Sequence, residues 1–333
     1  MQHALEHLVI VPRNGYVNRL QAWASAAILG AQLDVPVSVV WEPERIAPAE
    51  ALDLISESEV RRSFWDVEQL TSLVGGAHQT LARYLTVDAD RRLLVLAGHD
   101  RGEQAFMGEL VDALADPCAP TSLVVIAGGK FRLDTHEDFD RQRRLFYERV
   151  PWQTEIVDAV AATTDGRPPY LGLHVRGTDR SREAPSARAV REALRQLKEL
   201  GPTSLFVAAD TEASRLCWTD EALRLGFEPW SRTEVNRDRR VVAEGVDAVI
   251  DWRILGMAQA IVHAASSSFG EEAAVCTAQA SACISLTASP SRQRLRAAGE
   301  WATAAVTYPR RRWGSQQSPG DEAVREVVTT RPQ

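Results

Sequence analysis

Short runs of β-branched and aliphatic residues alternate with segments of helical periodicity, and this alternation constrains the fold more than any other feature. Residues 8–11, with the sequence LVIV, predict a buried strand. The apolar residues between 20 and 31 recur at helical spacing, and residues 37–41 form a second strand-like run. Strand, helix and strand in this order form a βαβ unit, so the sheet is expected to be parallel from its first strands.

The same alternation returns after two prolines at positions 168 and 169. Residues 163–169 are polar and then conformationally restricted, which predicts a linker between two series of elements. The spacing predicts further strands at residues 92–97, 122–127, 170–175, 205–209, 261–264 and 282–286. It also predicts helices at residues 138–150, 187–200, 212–225, 246–260 and 271–280.

We therefore predict an α/β protein with two Rossmann-like, doubly wound domains that face a cleft. The predicted boundaries are 1–166 for the first domain and 167–314 for the second, with a polar tail at 315–333.

Composition excludes several classes of protein. The chain is 45% hydrophobic and 25% charged, which is typical of a globular protein and not of a disordered chain or coiled coil. A net charge of −7 argues against a nucleic-acid partner. No apolar run reaches the ~18 residues of a membrane span, and the first residues lack the basic region of a signal peptide.

The cysteines form no C-x-x-C pair and have no histidine at metal-ligand spacing. They are Cys118, Cys217, Cys276 and Cys283. We expect four reduced thiols in a cytoplasmic protein.

Ligands of open parallel sheets bind beyond the carboxyl ends of the strands, and the first polar cluster there is residues 171–179. Alternate residues of a strand share a face, so His174 and Arg176 are expected to project to one side. The guanidinium of Arg176 suits a phosphate or a carboxylate. The alternative is an ion pair with Asp179 that only shapes the turn.

Two more strand ends carry polar residues. Asp210 follows an apolar strand and could accept hydrogen bonds from a ligand, although the residues alone favour a helix cap. The serines at 266–268 precede a predicted helix, and such hydroxyls together with helix N–H groups form an anion site. Glu271 and Glu272 would repel an anion held close by.

Residues 14–19 connect the first strand to the first helix and match neither a dinucleotide fingerprint nor a Walker loop. Asn18 and Arg19 could reach a phosphate across the cleft; the alternative is a capped helix with an exposed arginine. Two arginines, a serine turn and one carboxylate on facing domains suit a diphosphate with a nucleoside attached.

In their order along the chain, these segments resemble the fucosyltransferase superfamily of nodulation, α1,6- and peptide O-fucosyltransferases. The family's H-x-R-R-T-D motif is similar to residues 174–179, its V-A-T-D strand end to 207–210, its S-S-F-S turn to 267–270 and its G-x-x-N-R/Q loop to 15–19. An acidic residue ahead of the turn is similar to Asp251. Gly177 replaces the family's second arginine, and Gly270 its last serine.

The resemblance implies a GT-B fold in which the second domain holds a GDP-sugar and the first faces the acceptor. It implies that Arg176 binds the β-phosphate, that His174 and Asp210 contact the guanosine, and that Asn18 and Arg19 add contacts from the opposite domain. The diphosphate would be bound by Ser267, Ser268 and Phe269.

The family transfers fucose with inversion and needs no metal, so the resemblance implies no cofactor, with the GDP-sugar as co-substrate. Glu183 is the nearest match to the family's glutamate base, one residue out of register; the alternative is a surface loop, with a phosphate as the base. The sugar could be fucose or another GDP-linked hexose, and the acceptor a small molecule or a glycan, with no nucleic acid and no membrane involved.

Two other functions stay open. The first is a non-catalytic nucleotide-sugar-binding protein, which the loss of the second arginine makes conceivable. The second is a doubly wound oxidoreductase, which the missing glycine fingerprint disfavours.

Overall fold

Two mainly parallel β-sheets, each packed against helices, make up the described part of the chain. The computed structural model describes residues 5–74, 86–88, 93–97, 108, 110–112, 114, 121–132, 138–175, 185–232 and 242–287. Cys118, Arg176, Glu183 and the predicted tail lie outside the described residues, so what we predict for them stays a prediction.

The first sheet has the strand order β3-β2-β1-β6-β5-β4, and among its described strands β4 alone runs antiparallel to its neighbour. Its central strand carries the LVIV run, of which Leu8, Val9 and Ile10 are fully buried. The strands are β1 (His7–Pro12), β2 (Val37–Val40), β3 (Phe64–Trp65), β4 (Thr86–Asp88), β5 (Leu93–Ala97) and β6 (Ser122–Ala127).

The helices with described bounds that accompany this sheet include α1 (Tyr16–Leu33), α2 (Ala51–Leu54), α3 (Glu57–Ser63) and α4 (Val67–Val74). The longest, α1, connects the parallel strands β1 and β2 and packs against β1. It ends at Asp34, whose left-handed backbone (φ 56°) lets its N–H bond to the carbonyl of Gly30. The βαβ unit predicted for the start of the chain is therefore present.

Two helices, α5 (Phe139–Arg149) and α6 (Thr154–Thr164), lie between the sheets in sequence. The hydroxyls of Thr163 and Thr164 donate to the carbonyls of Ala159 and Val160, one turn earlier in α6. The predicted linker at 163–169 therefore begins in the last turn of a helix that the periodicity missed.

The second sheet is parallel throughout, with the order β11-β10-β7-β8-β9. Its strands are β7 (Leu171–Val175), β8 (Ser204–Ala209), β9 (Glu228–Trp230), β10 (Ile261–Ala264) and β11 (Ile284–Leu286). Its helices are α7 (Ala187–Lys198), α8 (Glu212–Arg224), α9 (Val242–Gly256) and α10 (Ser268–Cys276).

Helix α7 shows why this half folds as its pattern predicts. Its apolar residues recur three and four apart, so one face buries Val190, Leu194 and Leu197. The side chain of Ser186 caps the helix by accepting a hydrogen bond from the N–H of Ala189 at 3.2 Å.

The helices join both sheets into one core. Helix α5 packs on α1 and on α10, and α6 packs on α9. One cluster of buried side chains includes Leu8 and Trp23 near the first sheet, Tyr147 on α5, and Phe206 and Trp252 near the second sheet. The boundary predicted at residue 166 stays a prediction.

The predicted α/β class with two facing doubly wound sheets is confirmed. The pattern missed β3, β4 and β9, which have only two or three residues each and are too short to show periodicity. The last predicted strand is shortened, because residues 280–282 form a 3₁₀ turn. Over the described ranges, the structure holds no helix with the length and apolar character that crossing a bilayer requires.

Candidate functional site

The carboxyl ends of strands from both sheets line one cleft of about 730 Å³. From the first sheet come residues 14–18 after β1 and 128–130 after β6. From the second sheet come His174 on β7, residues 208–210 at the end of β8 and 265–269 after β10. This is where open parallel sheets bind ligands, and the volume is typical of small-molecule sites.

The N-terminus of α1 opens onto this cleft without a capping side chain. Its N-cap is Gly15, which makes no side-chain cap bond, and its first turn carries no acidic residue. The N–H groups of a first helical turn have no acceptor within the helix and carry partial positive charge. This end of the cleft can therefore hold an anion.

Asn18, predicted from sequence to face the cleft, bridges the two halves of the site. Its Nδ2 donates to the carbonyl of Gly128 at 2.9 Å, as does the side-chain Nδ2 of Asn14 at 3.2 Å. The hydroxyl of Ser268 on α10 donates to Asn18 Oδ1. Asn18 and Ser268 thus meet across the cleft, and their predicted contacts with a diphosphate stay a prediction.

Arg19, its neighbour, points away from the cleft and is fully buried. Its Nε donates to the carbonyl of Asn14 at 2.9 Å, its Nη1 donates to that of Glu42 at 2.6 Å, and the guanidinium lies over the Trp41 ring. This arrangement differs from both expectations, a ligand contact and an exposed arginine. Arg19 supports the loop that precedes α1.

On the opposite side, His174, Ser267 and Phe269 form one cluster. Ser267 caps α10 by accepting a hydrogen bond from the N–H of Gly270 at 3.3 Å, and its Oγ lies 3.4 Å from His174 Nδ1. The His174 and Phe269 rings stack, with centroids 4.7 Å apart. Ser266 is exposed in the same turn. The serine turn therefore forms the N-terminus of a helix at the cleft, as predicted.

Gly270, where the family motif has a serine, lies directly against His263 of β10. A Cβ at this glycine would lie 2.5 Å from the Cβ of His263 and 2.9 Å from its Cγ. Real Cβ atoms do not approach this closely, so a serine has no room at position 270 while His263 is in place. The His263 ring is buried, and its Nδ1 lies 3.1 Å from the carbonyl of Ala264.

The two glutamates of α10 do not present two free charges to the cleft. Glu271 forms an ion pair with Lys130, which follows β6. Glu272 is fully buried, where it pairs with Arg143 and accepts hydrogen bonds from Gln21 Nε2 and the Tyr147 hydroxyl, both at 2.7 Å. Burial raises the pKa of Glu272. The repulsion expected from these residues is therefore largely neutralised.

Sequence reasoning missed these partners. Gln21 and Lys130 line the cleft, whereas Arg143 and Tyr147 bind the buried Glu272, which in turn accepts a hydrogen bond from Gln21. The available signal was weak: Lys130 is one of only two lysines in the chain.

Asp210 lines the cleft directly after β8 and is half-buried. The cap of α8 is its neighbour Thr211, whose Oγ1 accepts a hydrogen bond from the N–H of Ser214 at 3.1 Å. The role that the residues alone favoured for Asp210 is therefore wrong by one position. Asp251, matched to an acidic residue of the family, is buried on α9 and pairs with Arg232 at 3.4 Å.

No group of three or more His, Cys, Asp or Glu side chains placed to hold a metal occurs among the residues that the structure describes. Metal independence stays a prediction. Cys217, Cys276 and Cys283 are free thiols, and burial raises the pKa of Cys276 to about 12. A thiol with this pKa is a poor nucleophile near neutral pH.

Comparison with solved structures finds proteins of the same fold. NodZ α-1,6-fucosyltransferase soaked with GDP-fucose is 16% identical with a TM-score of 0.56, over 82% of this chain and 93% of that one. A variant of FUT1 from Arabidopsis thaliana in complex with GDP is 14% identical with a TM-score of 0.53, over 82% and 69%. POFUT1 in complex with GDP-fucose is 11% identical with a TM-score of 0.51, over 85% and 98%.

No model of a known protein family and no curated protein sequence matches the chain. At identities of 11–16%, the structural likeness is evidence about the fold. The chain has the GT-B fold of the fucosyltransferases, with its cleft between the two sheets.

Proposed function

We propose that the protein is an inverting, metal-independent glycosyltransferase that moves a hexose, fucose or a related sugar, from a GDP-sugar to an acceptor hydroxyl. The observation that carries this proposal is the convergence of two helix N-termini, those of α1 and α10, on one cleft between the sheets. Such ends bind phosphate groups. Proteins of the same fold have been solved with GDP-fucose.

In this proposal the diphosphate lies between the two helix ends, within reach of Asn18 and Ser268. His174 and the carboxylate of Asp210 then lie on the second-sheet side, where they would contact the guanosine, and Phe269, stacked on His174, would adjoin the diphosphate. Lys130 adds positive charge from the first sheet, next to Glu271. The donor is thereby held mainly by the second half of the chain.

Arg176 follows β7 by one residue, and we assign it the β-phosphate. As the acceptor oxygen bonds to the anomeric carbon, the bond from that carbon to the β-phosphate oxygen breaks and negative charge grows on GDP. A guanidinium and helix ends already in place would stabilise this charge. Attack from the face opposite GDP inverts the anomeric carbon, and the acceptor proton passes to a base, for which Glu183 is our candidate.

Thermal unfolding with nucleotides tests the donor assignment. GDP is expected to raise the melting temperature far more than UDP or dTDP. Arg176→Ala should weaken GDP binding by about ten- to a hundredfold, since hydrogen bonds to charged groups contribute about 1.5–3 kcal/mol. Arg141→Ala is the control, because that exposed arginine pairs with Asp138 near the start of α5. Equal shifts from all three nucleotides would contradict the proposal.

A donor screen that measures released GDP tests the reaction. Turnover that depends on an acceptor supports the transferase. Binding of a GDP-sugar without transfer or hydrolysis over a broad acceptor panel would instead favour a binding protein, the alternative suggested by Gly177. We also propose a cytoplasmic location, because the described cysteines are free thiols.

A further inference from the structure

Gln21, in the second turn of α1, combines deep burial with access to the cleft. Its residue surface is only 3% exposed, yet it lines the cleft. A buried amide normally satisfies both its N–H₂ group and its carbonyl oxygen with partners. The two ends of this amide have different surroundings.

The nitrogen end is held by a buried carboxylate. Gln21 Nε2 donates to Glu272 Oε1 at 2.7 Å, and Glu272 is itself held by Arg143 and the hydroxyl of Tyr147. Rotating the amide by 180° would place its oxygen against the carboxylate oxygen, where two acceptors repel. The network therefore fixes the amide so that Oε1 points away from Glu272.

The oxygen end faces open space at Gly129, another cleft residue. A Cβ built on Gly129 would meet a single neighbouring atom within 4 Å, Gln21 Oε1 at 3.7 Å. Among the described residues, no side chain or N–H group donates to this oxygen. The free end of the amide therefore faces the cleft, where a bound ligand that supplies a donor gains a hydrogen bond to a pre-oriented acceptor.

We propose that Gln21 Oε1 accepts a hydrogen bond from a hydroxyl of the donor hexose and so helps to select the sugar. This inference rests on the proposed function, which places the diphosphate at the N-terminus of α10. Glu272, the partner of Gln21, belongs to the second turn of that helix, so a sugar on the β-phosphate lies within reach of Gln21. An oriented acceptor of this kind rejects a donor that lacks the matching hydroxyl.

Two variants test this role through the difference between GDP and GDP-sugar affinity. The probes are GDP, GDP-fucose and GDP-mannose, measured by calorimetry on the full chain. Gln21→Met should weaken the tighter of the two GDP-sugars about five- to tenfold, the effect of one hydrogen bond of about 1–1.4 kcal/mol, and leave GDP within about twofold. Gly129→Ala should weaken the same GDP-sugar in the same way, because its methyl group covers Oε1 and leaves the buried network in place.

The control is Gly108→Ala, an exposed glycine at which a Cβ meets nothing within 4 Å. If Gln21→Met does not fold, Gly129→Ala alone decides. Equal losses of affinity for GDP and for the GDP-sugar, or a change confined to the KM of the acceptor, would overturn the inference. Neither result would contradict the proposed transferase activity. Failure of the wild-type chain to bind GDP would reject the proposed function, and with it the inference.

Discussion

The two helices that begin at the cleft differ in how far the protein balances the partial positive charge at their N-termini. Helix α10 has a capping serine, Ser267, and two glutamates in its first turns, each held by residues from outside its own sheet. Helix α1 has the glycine cap Gly15, no side-chain cap bond and no acidic residue in its first turn. The N-terminal charge of α10 is thus partly balanced within the protein, whereas that of α1 is left for a ligand in the cleft.

This difference indicates a division of labour between the halves. The partners of the α10 glutamates lie on α1, on α5 and after β6, so the second-sheet helix depends on earlier parts of the chain for its stability. The N-terminus of α1 makes no such contacts in its first turn, so its N–H groups can bind a ligand. Each prediction below tests one side of this contrast, from the largest expected effect to the smallest.

Removing the buried carboxylate should cost the most stability. Glu272→Ala removes the buried partner of Arg143, which keeps the largely exposed carboxylate of Asp140, and it also leaves Gln21 and Tyr147 without their acceptor. We therefore expect a loss of about 3–5 kcal/mol in the free energy of unfolding, measured with urea. The matched control is Glu271→Ala, which breaks a partly exposed pair with Lys130 and should cost less than about 1 kcal/mol. Similar losses in the two variants would show that burial of the network is not what stabilises α10.

A carboxylate at the N-terminus of α1 should raise the free energy of unfolding and lower the affinity for GDP. Gly15 has φ −65° and ψ 162°, and a Cβ there meets nothing within 4 Å, so Gly15→Asp fits without strain. The new cap should stabilise the fold by about 0.3–1 kcal/mol and weaken GDP about five- to tenfold through repulsion. Gly15→Ser adds a cap without charge and should keep GDP affinity; tighter GDP binding by Gly15→Asp would refute an anion site at α1.

The ion pair across the cleft should tune GDP affinity in opposite directions. Lys130→Met removes a cation and exposes the charge of Glu271, so GDP should bind several-fold more weakly. Glu271→Gln should free Lys130 and tighten GDP by a similar factor. Because the pair is partly exposed, salt should reduce both effects. A loss in both variants would mean that the pair only holds the halves together.

Acidification should destabilise both sheets slightly. Burial lowers the pKa of His7 on β1 and of His263 on β10. An unfolded histidine titrates near 6.5, so below that pH the unfolded chain binds more protons than the folded one. This contribution is present above pH 6.5 and is lost as the pH falls through each lowered pKa. Between pH 7 and 5.5, the free energy of unfolding should fall less steeply with decreasing pH in His7→Gln than in the wild type. Equal slopes in the two proteins would exclude a contribution from His7.

The sequence predicts the position of the site well because strand ends are local features. Residues at the carboxyl ends of β7, β8 and β10 reach the cleft whatever the orientation of the helices that follow. His174, Asp210 and Ser267 are examples. Helix rotation is not local. Neighbours on a helix lie about 100° apart, so Asn18 faces the cleft while Arg19 is buried behind it.

The same rotation separates Glu271 from Glu272, and it decides which glutamate is buried. Their partners come from distant parts of the chain: Gln21 is 251 positions from Glu272, and Tyr147 is 125 positions away. No pattern within either segment encodes that distance. The family motif predicts the serine turn but does not include Gln21, Arg143 or Tyr147, the partners of Glu272.

The contact between Gly270 and His263 also makes the effects of mutation depend on their order. A side chain at position 270 has no room while the imidazole is in place, so a library that varies this site alone is expected to recover mainly glycine. A smaller residue at 263 would leave space for a Cβ at 270, and a serine could then be introduced there. Engineering the cleft toward the serine motif therefore requires paired libraries at these two positions.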